Sequence, residues 1–174
     1  NRLQDVAAEV FVAGQFVDVT GAGYEPDGEF RCCDAALDVA QRTTDALGGP
    51  VRELLTAGAL ASDAHLVRDT TQDSWTIRGD PTEGALVVAA AKAGLHKTDL
   101  RAALPRVHEI PFSSESKRMT TLHAGSEGVV AFAKGAPEVI LAACSAEQAA
   151  AGPVPLDAPA RARILEAAQQ MARD

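Results

Sequence analysis

Arg118-Met119-Thr120-Thr121-Leu122-His123, then Ala124-Gly125-Ser126-Glu127, then Gly128-Val129-Val130-Ala131-Phe132-Ala133-Lys134 is the stretch that sets the fold class. Two runs of β-branched and apolar residues flank four residues of turn chemistry, so it reads as a hairpin. Upstream, Arg106 to Pro111 adds a third strand to this block. Downstream, Ala136 to Cys144 reads as a short helix. After the Gly152-Pro153-Val154-Pro155 break comes a final helix from Ala158 to Arg173, amphipathic through Ile164, Leu165, Ala168 and Met171.

The N-terminal half repeats the alternation. Val6 to Val19 carries β-branched and aromatic residues on both sides of Ala13-Gly14 and reads as another hairpin; Thr20 to Gly28 concentrates glycine, proline and aspartate and reads as a loop. Alanine and leucine spacing predicts helices over Cys33 to Leu47 and Pro50 to Leu60, divided at Gly48-Gly49-Pro50. His65 to Arg68 and Ser74 to Arg78 read as short strands, and Pro81 to Gly94 as a helix closed by glycine. Strand blocks interrupted by helical blocks predict an α+β domain: a largely antiparallel twisted β-sheet flanked by helices. At 174 residues, with no internal repeat or long linker, the whole chain is expected to be one domain.

Composition narrows the class. Hydrophobic residues make up 47% and charged residues 23% of the chain, as in ordinary globular proteins, which excludes wholesale disorder. The longest apolar run, Ala85 to Ala91, is about seven residues against the roughly 20 needed to cross a bilayer, so no direct membrane contact is expected of this piece. The opening Asn1-Arg2-Leu3-Gln4-Asp5 has no signal-peptide regions and no initiator methionine, and reads as part of a longer chain. A net charge of −8 without any basic run excludes a nucleic-acid partner and confines any anion site to a local patch. Cys32, Cys33 and Cys144 are odd in number, which fits reduced thiols; the vicinal pair reads as two small hydrophobes at a helix start.

Generic nucleotide and metal signatures are missing. There is no G-x-x-x-x-G-K-S/T loop, and Pro26 stands where a dinucleotide fingerprint starting at Gly21 needs its third glycine. His65, His96, His108 and His123 lack helical metal-ligand spacing, so no metal site is expected. Three other strings stand out: Gly79-Asp80-Pro81-Thr82-Glu83-Gly84-Ala85-Leu86, Ile110-Pro111-Phe112-Ser113-Ser114-Glu115-Ser116-Lys117-Arg118-Met119, and Ala133-Lys134-Gly135-Ala136-Pro137-Glu138. In this order and spacing they resemble the nucleotide-binding domain of P-type cation-transporting ATPases. Val19-Thr20-Gly21-Ala22-Gly23-Tyr24 and Leu55-Thr56-Ala57-Gly58-Ala59-Leu60 extend the resemblance across the chain, toward the calcium-pump-like branch. Alanine and arginine usage points to a bacterial source.

The residues themselves allow both structural and binding roles. Asp80 or Thr82 can cap the helix that Pro81 initiates. For Glu83 the resemblance implies contact with the adenine amino group; a carboxylate accepts but cannot donate, which favours that amine over the guanine carbonyl. Phe112 is either a core ring at a strand end or, as the resemblance implies, a stacking platform for adenine. Lys117 is either a solvated strand lysine or the cation that reaches the phosphates. Ser114 and Ser116 stand where animal calcium pumps carry arginine; Arg118 could replace that charge, although regular strand alternation puts it opposite Lys117. Gly135 is expected to clear space for a ligand beside Lys134. The resemblance makes Lys134 the deep end of the pocket, with Gly135 and Ala136 as its wall. Glu138 is explained by the helix dipole alone.

The resemblance further implies a parent plasma-membrane pump in which this cytoplasmic domain holds ATP, with Mg2+ arriving on the nucleotide. Its partners would be the phosphorylation and actuator domains of the same chain. The family's Asp-Lys-Thr-Gly-Thr string, with the phosphorylated aspartate, does not occur here, and the family's C-terminal nucleotide-contacting arginine is expected beyond Asp174. The chain alone is therefore expected not to turn over. The transported cation would be calcium, with sodium or potassium as alternatives. The competing reading is a protein-interaction domain without nucleotide.

Overall fold

The computed structural model describes residues 9–39 and 47–173. Its first unit is an antiparallel meander of β1 (Glu9–Val12), β2 (Gln15–Val19), β3 (Phe30–Cys32) and β4 (Ala35–Leu37). Ala13 and Gly14 both take positive φ, 51° and 76°, the geometry that matches a two-residue turn to strand twist. The 20–28 loop is closed by the Thr20 amide donating to the Glu29 carbonyl at 2.9 Å and the Glu29 amide to Thr20 Oγ1 at 2.8 Å.

The helix expected over 33–47 is corrected: its first residues form a second tight hairpin, and residues 40–46 lie outside the described part. Cys33 and Asp34 adopt φ of 51° and 66°, pairing Phe30 with Leu37 and leaving Phe30 3% exposed. Burial of that ring outweighs the alanine helix propensity, which amounts to only tenths of a kcal/mol per residue. Cys32 thus ends a strand and Cys33 occupies the turn, with their sulfurs 3.8 Å apart.

Helix α1 (Gly48–Leu60) buries Val51, Leu55, Ala59 and Leu60. The hairpin of β5 (His65–Asp69) and β6 (Ser74–Arg78) follows, then α2 (Pro81–Lys92). The core joins the meander to α1 and α2 through Val17, Val19, Phe30, Val51, Leu55 and Ala90. Lys92 Nζ ties α2 to the loop by donating to the carbonyls of Thr20 and Gly21 at 2.8 and 3.0 Å. A short α3 (Lys97–Ala103), unforeseen from sequence, leads to β7 (Arg106–Ile110), β8 (Arg118–Gly125) and β9 (Gly128–Gly135), ordered β7-β8-β9 and antiparallel. The β8–β9 turn is tighter than expected, since Gly125 already pairs with Gly128.

After α4 (Pro137–Ala143) the proline-containing break is itself a strand. β10 (Ala146–Ala149) pairs with β11 (Gly152–Pro155). A two-stranded sheet consists only of edges, where a proline's missing N–H is tolerated. α5 (Ala158–Met171) is capped by Asp157, which accepts from the Ala160 amide at 2.8 Å. The α+β class with antiparallel pairing stands, although among the described residues the strands form four separate sheets rather than one. Among the described residues no helix is long and apolar enough to cross a membrane.

Candidate functional site

The start of α2 is set by Asp80. Its Oδ1 accepts from the amides of Thr82 at 2.8 Å and Glu83 at 3.1 Å, and Pro81 supplies a fixed φ at the first turn. Asp80 is therefore the cap, and Thr82 contributes a backbone donor to it. With the first turn fixed, the Glu83 carboxylate reaches the connection between α1 and β5. Its Oε2 accepts from the amides of Asp63 at 2.7 Å and Ala64 at 3.0 Å, and its Oε1 accepts from Lys134 Nζ at 2.6 Å.

This ion pair is well shielded, the side chains of Glu83 and Lys134 being 15% and 28% exposed. Burial alone would raise the Glu83 carboxyl. The Lys134 hydrogen bond, followed by the two backbone amides, outweighs it and holds the group below its ordinary value of 4.5. Glu83 is thus a fixed anion with most of its acceptor positions already engaged.

Lys134 is carried by β9 directly opposite Met119 of β8, and Gly135 opposite Arg118. The reason for glycine at 135 is corrected. A Cβ there would fall on the Lys117 carbonyl oxygen and lie 2.7 Å from Arg118 Cα, so the missing side chain admits a neighbouring backbone rather than a ligand. Ala136 completes the contact, its amide donating to the Lys117 carbonyl at 3.0 Å.

Lys117 precedes β8 and takes φ of 48°. Strand alternation therefore does not relate it to Arg118. Its amide closes the 113–117 turn on the Ser113 carbonyl at 2.8 Å, and Ser113 Oγ holds the Ser116 amide at 3.0 Å. Ser113 and Ser116 thus build the turn that presents Lys117, and of the two candidate serines 114 and 116 only Ser116 takes part in these bonds. Phe112, just before this turn, is 61% exposed, which rules out the core-ring reading.

The structure accordingly brings Glu83 to Lys134, and Gly135 and Ala136 to Lys117 and Arg118, with Asp80 and Thr82 at the start of the helix that carries Glu83. Lys134 and Gly135 also line an apolar cavity of about 600 Å³ between β9, β1, α1, α4 and α5. Its charged lining residues are Glu9, Lys134 and Glu147, and Glu83, Phe112, Lys117 and Arg118 are not among its walls. A triphosphate finds no cationic cluster inside it. Among the described residues no three His, Cys, Asp or Glu side chains are gathered for a metal.

Sequence reading missed the support of Glu83. The Arg106 guanidinium binds the Asp63 carboxylate at 2.6 Å and Glu109 at 2.8 Å, and donates to the carbonyls of Leu60 and Ser62 at 2.7 and 3.1 Å. Lys97 Nζ donates to the carbonyls of Ser62 and Ala64 at 2.6 and 2.7 Å. No local motif marks either residue, because their targets are main-chain carbonyls more than thirty positions away.

The family described as P-type ATPase, cytoplasmic domain N, matches residues 50–174. The chain is 45% identical over 156 residues to a probable cation-transporting ATPase F of Mycobacterium tuberculosis, covering 89% of this chain and 16% of that protein. It is 38% identical over 135 residues to the cation-transporting ATPase pma1 of Synechocystis, 78% of this chain and 14% of the relative. Against a calcium-transporting ATPase of Bacillus subtilis the identity is 32% over 133 residues, with coverages of 76% and 14%. The chain therefore spans less than one fifth of the length of these curated relatives.

Proposed function

Because this chain belongs to the P-type ATPase family as its cytoplasmic domain N, we propose that residues 1–174 act as a single module that binds the adenine end of ATP and presents it to the rest of a cation pump. The observation that carries the reading is Phe112, an aromatic ring 61% exposed on a loop held by its own serine turn. A ring left in water at a fixed place is a stacking surface, and base stacking on aromatics contributes about 1–3 kcal/mol.

In this reading Phe112 stacks the base and Glu83 accepts a hydrogen bond from its exocyclic amine. Lys134, Gly135 and Ala136 form the inner wall, with Asp80 and Thr82 fixing the helix start behind Glu83. Lys117 and Arg118, on adjacent positions where the turn enters β8, supply charge toward the phosphates. Mg2+ would come with the nucleotide, since its preferred hard oxygen ligands are then the phosphates themselves. With one open platform and no phosphate loop, affinity is expected on the order of millimolar, roughly 4 kcal/mol.

The parent pump would hydrolyse ATP to move a cation across the cell membrane, with this domain on the cytoplasmic side and the phosphorylation and actuator domains as its partners. Calcium is the proposed ion, supported by the Bacillus subtilis relative's name. No Asp-Lys-Thr-Gly-Thr string is present in this chain, so it should bind without turning over. The test is an amide-shift titration with ATP and GTP. ATP should move the signals of Phe112, Lys134 and Gly135 at lower concentration than GTP does; unmoved signals there at saturating ATP refute the proposal.

A further inference from the structure

Lys97 occupies a costly place. It is 8% exposed, at the first residue of α3, where both burial and the helix dipole disfavour a cation. Arg101 and Arg106 add like-charge repulsion. What offsets these costs is the turn between α1 and β5, whose Ser62 and Ala64 are fully buried. Lys97 Nζ binds the carbonyls of both, and Arg106 shares the Ser62 carbonyl. The opposite side of the same turn offers the Asp63 and Ala64 amides, and these are the two donors that fix Glu83 Oε2. One short turn is therefore held by cations through its carbonyls and by Glu83 through its amides.

We propose that Lys97 is a positioning residue for the candidate site: by gripping the carbonyl side of the 62–64 turn it holds the amides that orient Glu83, and its charge sets the affinity for nucleotide. The affinity part rests on the ATP-binding reading above; the positioning part does not. A carbonyl bound by an ammonium is pulled harder than one bound by a neutral amine, so loss of the proton loosens the turn without removing every bond.

Burial, then Arg101 and Arg106, lower the Lys97 ammonium to about 8, against the partly compensating charges of Asp63 and Glu83. The charged groups around it do not change over the same range. Arg101 on its own helix and Arg106 on β7 remain cationic. Asp63 in the turn and Glu83 on α2 are held below ordinary carboxylate values and stay ionised, and His65 on β5 is held below 6.5, so its proton leaves toward the acid side of the range, away from the Lys97 step. Between neutral and alkaline pH the charge change facing this turn belongs to Lys97.

The experiment uses the 174-residue chain as wild type, Lys97→Met and Lys97→Arg. The Asp63 and Ala64 amide shifts are followed without nucleotide from about pH 6.5 to about 9.5, and ATP is titrated at both ends of the range. Wild type should show an amide midpoint near 8 and bind ATP about fivefold more weakly at the alkaline end, the scale of weakening one charge-assisted hydrogen bond. Lys97→Met should bind weakly throughout with no midpoint, whereas Lys97→Arg should bind well throughout with no midpoint. Amides without that midpoint in wild type, or a Met variant indistinguishable from wild type, overturn the proposal. If wild type itself fails to bind ATP, the nucleotide reading falls while the amide titration still decides the positioning role. If Lys97→Met does not fold, the contrast between wild type and Lys97→Arg decides it.

Discussion

Replacing Phe112 by alanine separates a binding platform from a core ring by two numbers that move in opposite directions. Full burial of a phenylalanine contributes about 1.5–3 kcal/mol. Phe112 is 61% exposed, so the covered two-fifths bounds its contribution to stability at roughly 1 kcal/mol, and less against a compact unfolded chain. A core Phe→Ala change costs about 3–5 kcal/mol. Loss of a stacked base, by contrast, costs about 1–3 kcal/mol of binding, or roughly 5- to 150-fold in affinity. From a starting point on the order of 1 mM, the midpoint for ATP moves to at least about 5 mM. Urea unfolding and amide-shift titration on the same sample give both numbers. Destabilisation of about 3 kcal/mol or more, with affinity per folded molecule changed less than about twofold, would refute the reasoning.

Glu83→Gln should destabilise the protein by about 1–3 kcal/mol at neutral pH, since it removes the charge that Lys134 and two amides bind. The Glu83 carboxyl sits below 4.5 in the folded state, so the carboxylate's contribution is complete above 4.5 and lost as pH falls through the lowered value. Urea curves of the two proteins should therefore converge in acid, and the ATP-to-GTP preference of the variant should shrink in parallel titrations. Asp80→Ala should cost about 0.5–2 kcal/mol in urea unfolding through loss of the α2 cap, with Asp80→Asn restoring most of it. Gly135→Ala drives a methyl into the Lys117 carbonyl and Arg118 Cα. It should cost about 1–3 kcal/mol and speed hydrogen exchange at the Ala136 amide, which bonds to that carbonyl.

The elements most legible in the sequence were those whose chemistry is local. Asp80-Pro81 starts α2 with a cap and a preset φ, Gly94 at φ 71° follows its end, and β8–β9 alternates around a two-residue turn. The failures share a physical cause in longer-range contacts. Nothing in Cys33-Asp34 announces a left-handed turn; Phe30, buried opposite Leu37, selects it. β11 hides behind two prolines because its pairing with β10 leaves edges where they do no harm. At the site, the three strings singled out Glu83, Phe112 and Lys134 as candidates, and the structure pairs Glu83 with Lys134 and leaves Phe112 exposed, but they gave the wrong reason for Gly135 and the wrong geometry for Lys117. Both depend on how β8 and β9 approach each other at one point. Lys97 and Arg106 left no trace at all, since backbone carbonyls have no sequence.

The base-reading chemistry and the chemistry that holds the fold share one carboxylate, and this bears on how selectivity would arise. Three donors already occupy Glu83, two on Oε2 and one on Oε1, and an ionised carboxylate offers about four lone-pair positions. One acceptor position remains. Under the proposed reading, the adenine amine can take it without displacing Lys134 or either amide, so binding ATP requires no rearrangement of the turn. The guanine carbonyl brings an acceptor to an acceptor at the same point. Relieving that clash would mean protonating a carboxyl that is held below its ordinary value, or withdrawing it from an ion pair shielded to 15% and 28% exposure. Either route costs free energy that stacking on Phe112 cannot return, because stacking is nearly indifferent to which base supplies the ring. Affinity would then come from the exposed ring and selectivity from the fixed anion. Under the proposed reading, this division would account for both a carboxylate bound by three donors and a ring left exposed.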